Sequence, residues 1–495
     1  MNIQDNTPAW FYSYVWDSAA NNTIRDYVQR RLDYWNGEHD ILDEDSTYAN
    51  GQTKSTYVMN WIKEIVTRHN GCMTQFQVEI PSPEGGDQVD SDAYNDIRED
   101  QRLDKIDSLL VRDALLCGYG VEFQGFDAAT KEITISRYSP SEWAFLWDSE
   151  DELQAAVRCV QLEANTVHNG VVLENDSEAL WVYTQDEIGE WIRDANTTGE
   201  FKGTISENPL GRIPVVVWLA DEEMSGIISD ELIAMNDAFN SQFSIEGDDI
   251  NNTVDAIVKM WGVDSAWVTA NESTILEKRM LPFDHPKSEQ DAEFLSRKLD
   301  IGPHSKHLDV IRENIHIMGN IPDTSKITGA TGSTSGVALR LAFTPMEQAF
   351  QSYSPFLVEA VHDRIALLNA RLEKLQAETI PNPKVIVQFR MPANRVEEWQ
   401  YVGMLKGIVS QKTMLSLLTD IEDPAKELQN VVNEMGEDQP SQVAERIAEN
   451  EARAANIERL LVESDARTTE SIGAMITAND SLIQKLIDAI SKASA

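Results

Sequence analysis

Asn208-Pro209-Leu210-Gly211-Arg212-Ile213-Pro214 leads into the apolar strand Val215-Val216-Val217-Trp218, and a helical pattern then runs from Ser229 to Trp261. At about 1.5 Å per residue such a helix is roughly 50 Å long, far beyond an ordinary globular one. Leu232, Met235, Phe239, Phe243, Ile250, Val254, Ile257 and Trp261 recur at helical spacing and predict one buried stripe. Asp230, Asp237, Asp248 and Asp255 stand seven or eleven residues apart, which at about 100° per residue sets them on one line on the opposite face. A helix apolar on one side and acidic on the other must both pack and repel.

On either side of this helix the chain is α+β and predominantly helical. Helices are expected over Thr56 to Gly71 and Asp96 to Cys117, and strands over Lys131 to Tyr138, Ala155 to Glu163 and Ala179 to Tyr183. Pro81 to Asp92 reads as an exposed acidic connector. After the long helix, Ala266-Trp267-Val268 and Ile275 to Leu281 suggest a small hairpin around Asn271-Glu272-Ser273. A returning helix follows, interrupted at Gly302-Pro303 and carrying Leu308, Ile311, Ile315 and Met318. Helix, small β module and returning helix make a stalk with a knob at its tip. Beyond it a long helix is expected from Pro345, kinked at Pro355, then a strand from Val385 to Met391 and helices to the end.

With 495 residues and a formal charge of −42, the chain is a large acidic protein of about three domains. That charge argues against a surface that grips nucleic acid, which needs clustered Lys and Arg; taken alone it reads as solubility or salt adaptation, and it does not exclude a surface that DNA passes without sticking. Cys72, Cys117 and Cys159 form no paired pattern, so neither a disulfide framework nor a zinc knuckle is expected. Met1-Asn2-Ile3-Gln4-Asp5 offers no basic n-region or apolar core and no apolar run approaches about 18 residues, so neither a signal peptide nor a membrane span is expected. The eight histidines are scattered; His304 and His307 have no matching carboxylate or Cys motif, so no metal is expected. No acid/base or nucleophilic constellation stands out, so the chain is expected to be no enzyme and to need no cofactor. Gly329-Ala330-Thr331-Gly332-Ser333-Thr334-Ser335-Gly336 resembles a phosphate cradle, yet Val337 and Ala338 occupy the places of the Walker Lys and Ser/Thr. It reads as a flexible loop instead.

Five segments in order resemble the portal proteins of tailed bacteriophages. They are Arg30-Arg31-Leu32-Asp33-Tyr34-Trp35-Asn36-Gly37-Glu38-His39-Asp40-Ile41-Leu42, then Lys54 to Gly71, then Gly118-Tyr119-Gly120-Val121 with Tyr138-Ser139-Pro140-Ser141-Glu142-Trp143, then Asn208 to Pro214, and Ser333-Thr334-Ser335-Gly336-Val337-Ala338-Leu339-Arg340. The resemblance implies a wing over 1–227, a descending stem helix over 228–262 and a clip over 263–302. It further implies an ascending stem helix over 303–318, a tunnel loop over 319–335, a kinked wing helix and strand over 336–399, and a helical crown and C-terminal region over 400–495. Such a subunit forms a ring, typically a dodecamer, at one capsid vertex of the virion, assembled in the host cytoplasm. Double-stranded DNA is packaged and ejected through its centre without sequence specificity. The implied partners are other copies of the chain, the terminase large subunit, adaptor and tail proteins of the head-tail connector, and the major capsid protein, with no membrane. In this scheme Lys326, Thr328, Thr331 and Ser333 belong to the tunnel loop. Asp237, Asp248 and Asp255 face the channel, and Lys278, Arg279, His285 and Lys287 meet partners at the clip. The competing reading is an acidic DNA mimic or scaffold, a compact monomer or dimer with no use for a stalk.

Without a Walker lysine the purified chain is predicted to turn over no ATP. A phosphate-release assay showing robust turnover that tracks the protein through purification would contradict this.

Overall fold

The computed structural model describes residues 3–44, 47, 54–81, 88–126, 133–150, 152–168, 171–194, 200–254, 257–260, 264–271, 280–282, 293–295, 301–323 and 336–390, and short pieces between 402 and 431. The chain divides into a unit over Met1–Met391 and a second over Pro392–Ala495. In the second, the helix Gln411–Ser416 and the buried Leu418 are described.

In the first unit the strands are β1 Gln77–Pro81, β2 Gln88–Asp90, β3 Tyr119–Phe126, β4 Ile133–Tyr138, β5 Trp143–Trp147, β6 Leu153–Leu162, β7 Val167–His168, β8 Val171–Val172, β9 Ser177–Tyr183, β10 Glu187–Asp194, β11 Lys202–Glu207 and β12 Val215–Leu219. β13 Ile257–Met260, β14 Met280–Pro282, β15 Glu293–Leu295 and β16 Lys384–Ile386 complete them. The largest sheet is antiparallel, in the order β11-β10-β9-β6-β5. A second sheet, β12-β3-β4, turns Phe123 toward Trp143 and Tyr183 of the first, with ring centroids 6.4 and 5.2 Å apart. Its other face carries Gly120, Glu122 and Gln124, because side chains alternate along a strand. That face receives the helices Leu103–Cys117 and Gly336–Leu375. A Cβ at Gly120 would stand 2.7 Å from the carbonyl oxygen of Leu110, so only glycine lets this helix lie so close to the sheet.

At the centre of this packing is an arginine. Arg364 has no solvent exposure and donates to Glu122 at 2.8 and 2.9 Å, to Asp107 at 2.5 Å and to the Tyr94 hydroxyl at 3.2 Å. Trp218 Nε1 and Gln124 Nε2 donate to the same Glu122 carboxylate, each at 3.0 Å. Burial would lower the arginine pKa, but Asp107 and Glu122 outweigh it and hold Arg364 well above its ordinary value. Burial pushes the Asp107 carboxyl up while Arg364 pulls it down. Five side chains from four elements thus gather at this centre, three bonded to the guanidinium and two to its Glu122 partner, which favours a single register of the core.

Several elements differ from the sequence expectation. The long helix covers Asp230–Val254, and Ile257–Met260 is a strand where the helical pattern continues to Trp261. Asn251, Asn252 and Thr253 favour leaving a helix, and β-branched Ile257 and Val258 favour a strand. The expected hairpin strand at Trp267 is instead the helix Ser265–Ala270, because Asp264 caps it by accepting from Trp267 N at 2.7 Å. β13 runs parallel to β14 and antiparallel to β15. Gly302 and Pro303 do not interrupt the returning helix; they lie in the first turn of Ile301–Met318, where proline's missing N–H leaves nothing unpaired. The last long helix begins at Gly336 and passes through both Pro345 and Pro355, so Pro345 does not open it. Asp96 to Cys117 is two helices, Asp92–Gln101 and Leu103–Cys117, split at Arg102 with φ 53°. Among the described residues no helix is long and apolar enough to cross a membrane.

Replacing Arg364 by Met strands two buried carboxylates and is predicted to cost about 3–5 kcal/mol. Thermal unfolding of the variant is the check; a melting temperature unchanged from the wild type would contradict the assignment.

Candidate functional site

The long helix Asp230–Val254 carries Asn236, Asn240, Ser244 and Asp248 four residues apart. All four side chains point at one extended segment, residues 54–60. Trp61 N donates to Asn236 Oδ1 at 2.9 Å, Met59 N to Asn240 Oδ1 at 2.8 Å, and Tyr57 N to Ser244 Oγ at 3.0 Å. Ser55 N donates to both Asp248 oxygens, at 3.0 and 3.1 Å. Two residues of extended chain advance about 6.6 Å and four residues of helix about 6.0 Å, so the repeats nearly match. The helix side chains thereby serve as the neighbouring strand that this segment lacks. Because four residues turn a helix by about 400°, the segment drifts about 40° around it per step. Gly247 keeps the approach open, since a Cβ there would lie 2.5 Å from the Tyr57 ring. This is why Thr56 to Asn60 is extended, and the expected helix begins only at Trp61.

The helix Trp61–Gly71 then wedges between the long helix and the returning helix Ile301–Met318. The Trp61 ring meets Phe239 of the long helix at 5.6 Å and His316 of the returning helix at 5.3 Å, both edge to face. Arg68 donates to the Pro322 carbonyl, and His69 Nε2 bonds the Gly319 carbonyl at 2.9 Å, so the turn after Met318 is held by the same wedge. Burial lowers the His69 pKa and the Gly319 carbonyl partly restores it, which keeps the ring neutral with its proton on Nε2. At the other end, Arg31 of the helix Ala19–Asn36 is buried and donates to the Ile228 carbonyl at 2.9 Å and to Asp230 at 3.0 Å. Tyr27 donates to the Ser225 and Ile228 carbonyls, and burial pushes its phenol up to about 12.

The aspartate line is therefore engaged within the chain. Asp230 pairs with Arg31, Asp237 accepts from the Tyr34 hydroxyl at 2.7 Å, and buried Asp248 holds Ser55. Burial raises the Asp237 pKa against the lowering effect of Tyr34. Neither Asp237 nor Asp248 stands free on an open face, contrary to the picture of a bare acidic line. Asp255 lies outside the described residues, as do Lys278, Arg279, His285, Lys287, Lys326, Thr328, Thr331 and Ser333. The apolar stripe is split: Leu232 and Phe239 are buried, whereas Phe243 and Ile250 are exposed. On the returning helix Val310 and Ile317 are exposed at 53% and 65%. Each pair is seven residues apart, hence nearly in line along its helix. The sequence reading missed the Asn236-Asn240-Ser244-Asp248 row. Its signal was available: four cap-forming residues at a strict spacing of four inside a helix, where each is a poor helix former.

Among the described residues no group of His, Cys, Asp and Glu is arranged to hold a metal. The model of the family described as phage portal protein, SPP1 Gp6-like, matches residues 16–455. The chain belongs to the phage portal protein family. Its role is that of a portal, or connector, subunit of a phage-type particle. No curated protein matches the chain. Among solved structures it is similar to a chain in the neck of an empty gene transfer agent particle computed with C6 symmetry, with 11% identity, a TM-score of 0.40, and coverage of 72% of this chain and 89% of that one. A chain in the virion of a native gene transfer agent particle gives 10% identity and a TM-score of 0.36 over the same shares. The family assignment rests on the model match.

Changing Asn236 and Asn240 to Leu leaves the Met59 and Trp61 amides unpaired, and each loss is predicted to cost about 1–3 kcal/mol. Chemical denaturation checks it, and an unaltered midpoint would show that the segment does not depend on these amides.

Proposed function

We propose that this portal-family chain assembles into a ring, of twelve subunits as is typical, through which double-stranded DNA is packaged and later ejected. The observation that carries the reading is the pair of helices Asp230–Val254 and Ile301–Met318, each with exposed apolar residues seven apart, Phe243 with Ile250 and Val310 with Ile317. A single chain leaves these groups in water at a cost of about 25 cal/mol per Å² of apolar surface. Packing against the same helices of a neighbouring copy removes that cost. In this reading the helices are descending and ascending stem, residues 263–302 are the clip, 319–335 the tunnel loop, 1–227 and 336–399 the wing, and 400–495 the crown.

The charge of −42 per chain gives such a ring a strongly negative field that DNA phosphates cross without adhering. Asp237 and Asp248 contribute to that field from within the fold, and Asp255 faces the channel. Lys326, Thr328, Thr331 and Ser333 touch the passing backbone. Lys278, Arg279, His285 and Lys287 form a small basic set at the clip that suits the terminase large subunit and the adaptor. The ring sits at a capsid vertex against the major capsid protein, and the force for packaging comes from the terminase.

Negative-stain imaging and native mass spectrometry of the purified chain are expected to show closed rings with a central hole, unaffected by reductant. Changing Val310 and Ile317 together to Glu is expected to shift the population to single chains that keep the wild-type far-UV circular dichroism. A wild-type chain that stays a compact monomer or dimer would instead favour the DNA-mimic reading.

A further inference from the structure

The row that holds segment 54–61 has a second side. The oxygens of Asn236 and Asn240 accept from Trp61 and Met59, so their amide orientations are fixed and both Nδ2 groups point the opposite way. They converge on one atom, His39 Nδ1, at 3.2 and 3.4 Å. Two donors aimed at the same nitrogen require it to be an acceptor, so the imidazole must be neutral with its proton on Nε2. His39 is 1% exposed and follows the turn that ends the helix Ala19–Asn36. Its Nε2 has no hydrogen-bond partner.

We propose that His39 is a pH-operated latch for the 54–61 segment. A proton on Nδ1 turns the acceptor into a third donor facing two amide groups. The asparagines relieve the clash only by rotating, and rotation withdraws the oxygens from Met59 and Trp61. Acid thus unfastens the segment from the long helix at the end where Trp61 meets both stalk helices. The device lies beyond the ring-and-channel role and does not depend on it.

The groups around His39 set where the latch operates. From the helix Ala19–Asn36, the Tyr34 ring lies 4.5 Å away, its hydroxyl committed to Asp237. From the long helix, Asp237 carries that hydrogen bond beside the two asparagines. On the turn of His39 itself, Asp40 favours the cation and is in turn paired with Arg30 at 3.1 Å. From the 54–61 side, the groups that reach the two asparagines are backbone amides. Burial, the larger influence, lowers the His39 pKa below its ordinary 6.5. A histidine held neutral in the fastened state and free to charge when released contributes stability that is full above about 6.5 and falls as pH drops below it.

Hydrogen exchange of the assembled full-length chain, read on peptides spanning residues 54–61 and corrected for the intrinsic pH dependence of exchange, tests the latch. Between about pH 7.5 and 5.5 the open fraction of this segment is expected to rise about tenfold, while peptides from Leu103–Cys117 do not change. His39→Gln, which cannot take the proton, is expected to abolish the difference between the two pH values. His39→Phe, a ring of similar size that cannot take the proton either, is expected to remove the pH difference as well. Should H39Q fail to assemble, the wild-type profile and H39F still decide. A wild-type segment whose protection is independent of pH, or an H39Q or H39F segment that keeps the wild-type pH dependence, overturns the proposal.

Discussion

Four side chains of one helix stand in for a missing strand, and the packing of the long helix Asp230–Val254 beside the returning helix Ile301–Met318 depends on that substitution. Asn236, Asn240, Ser244 and Asp248 capture the amides of Trp61, Met59, Tyr57 and Ser55 at every second residue. The arrangement works because about 6.0 Å of helix rise nearly equals about 6.6 Å of extended chain. It has consequences at both ends. Toward the root it delivers Trp61 between Phe239 and His316, so one side chain spaces the long helix from the returning one. Toward Ser55 it turns Asp248, a charged residue in the middle of a helix, into a buried acceptor for a backbone amide. Polar residues that weaken a helix in isolation are what fasten this one.

The arginine core makes the complementary constraint. Arg364 draws Asp107 and Glu122 to one point, where Tyr94 also bonds Arg364 and Trp218 and Gln124 donate to Glu122. Buried ion pairs add little to net stability relative to apolar packing, but losing one partner is costly. Such a centre rejects alternative registers of the Gly336–Leu375 helix on the β12-β3-β4 sheet. Outside that centre, Phe243 and Ile250 of the long helix and Val310 and Ile317 of the returning one stay exposed, and in the ring proposed above they meet other copies of the chain. A charge of −42 opposes close approach of like chains, so helix contacts have to supply the attraction.

Much of this was legible in the sequence, and the failures have physical causes. The strands around Val215, Ala155 and Ala179 were visible because buried strands read as continuous apolar runs. The order of motifs led to the family. The helix boundaries were misread where a cap or a side-chain bond overrides propensity, as with Asp264 at Ser265–Ala270 and the asparagine row at Thr56 to Asn60. Pro345 and Pro303 misled in opposite ways, one tolerated inside a helix and the other opening one. The line of Asp230, Asp237 and Asp248 was correct as geometry, but spacing along a helix cannot reveal that Arg31, Tyr34 and Ser55 wait across the gap. The row beside it, four cap-forming residues at a spacing of four, was the sharper signal.

The alternation of protection along residues 55–61 is the most direct test of the central claim. Among the described residues, the amides of Thr56 and Val58 donate no hydrogen bond, whereas those of Ser55, Tyr57, Met59 and Trp61 donate to the helix. Residue-resolved amide exchange at neutral pH should show slow exchange at 55, 57, 59 and 61, interleaved with fast exchange at 56 and 58. Uniform protection would mean that the segment lies in an ordinary sheet, and uniform rapid exchange would mean that the helix does not hold it; either result contradicts the account.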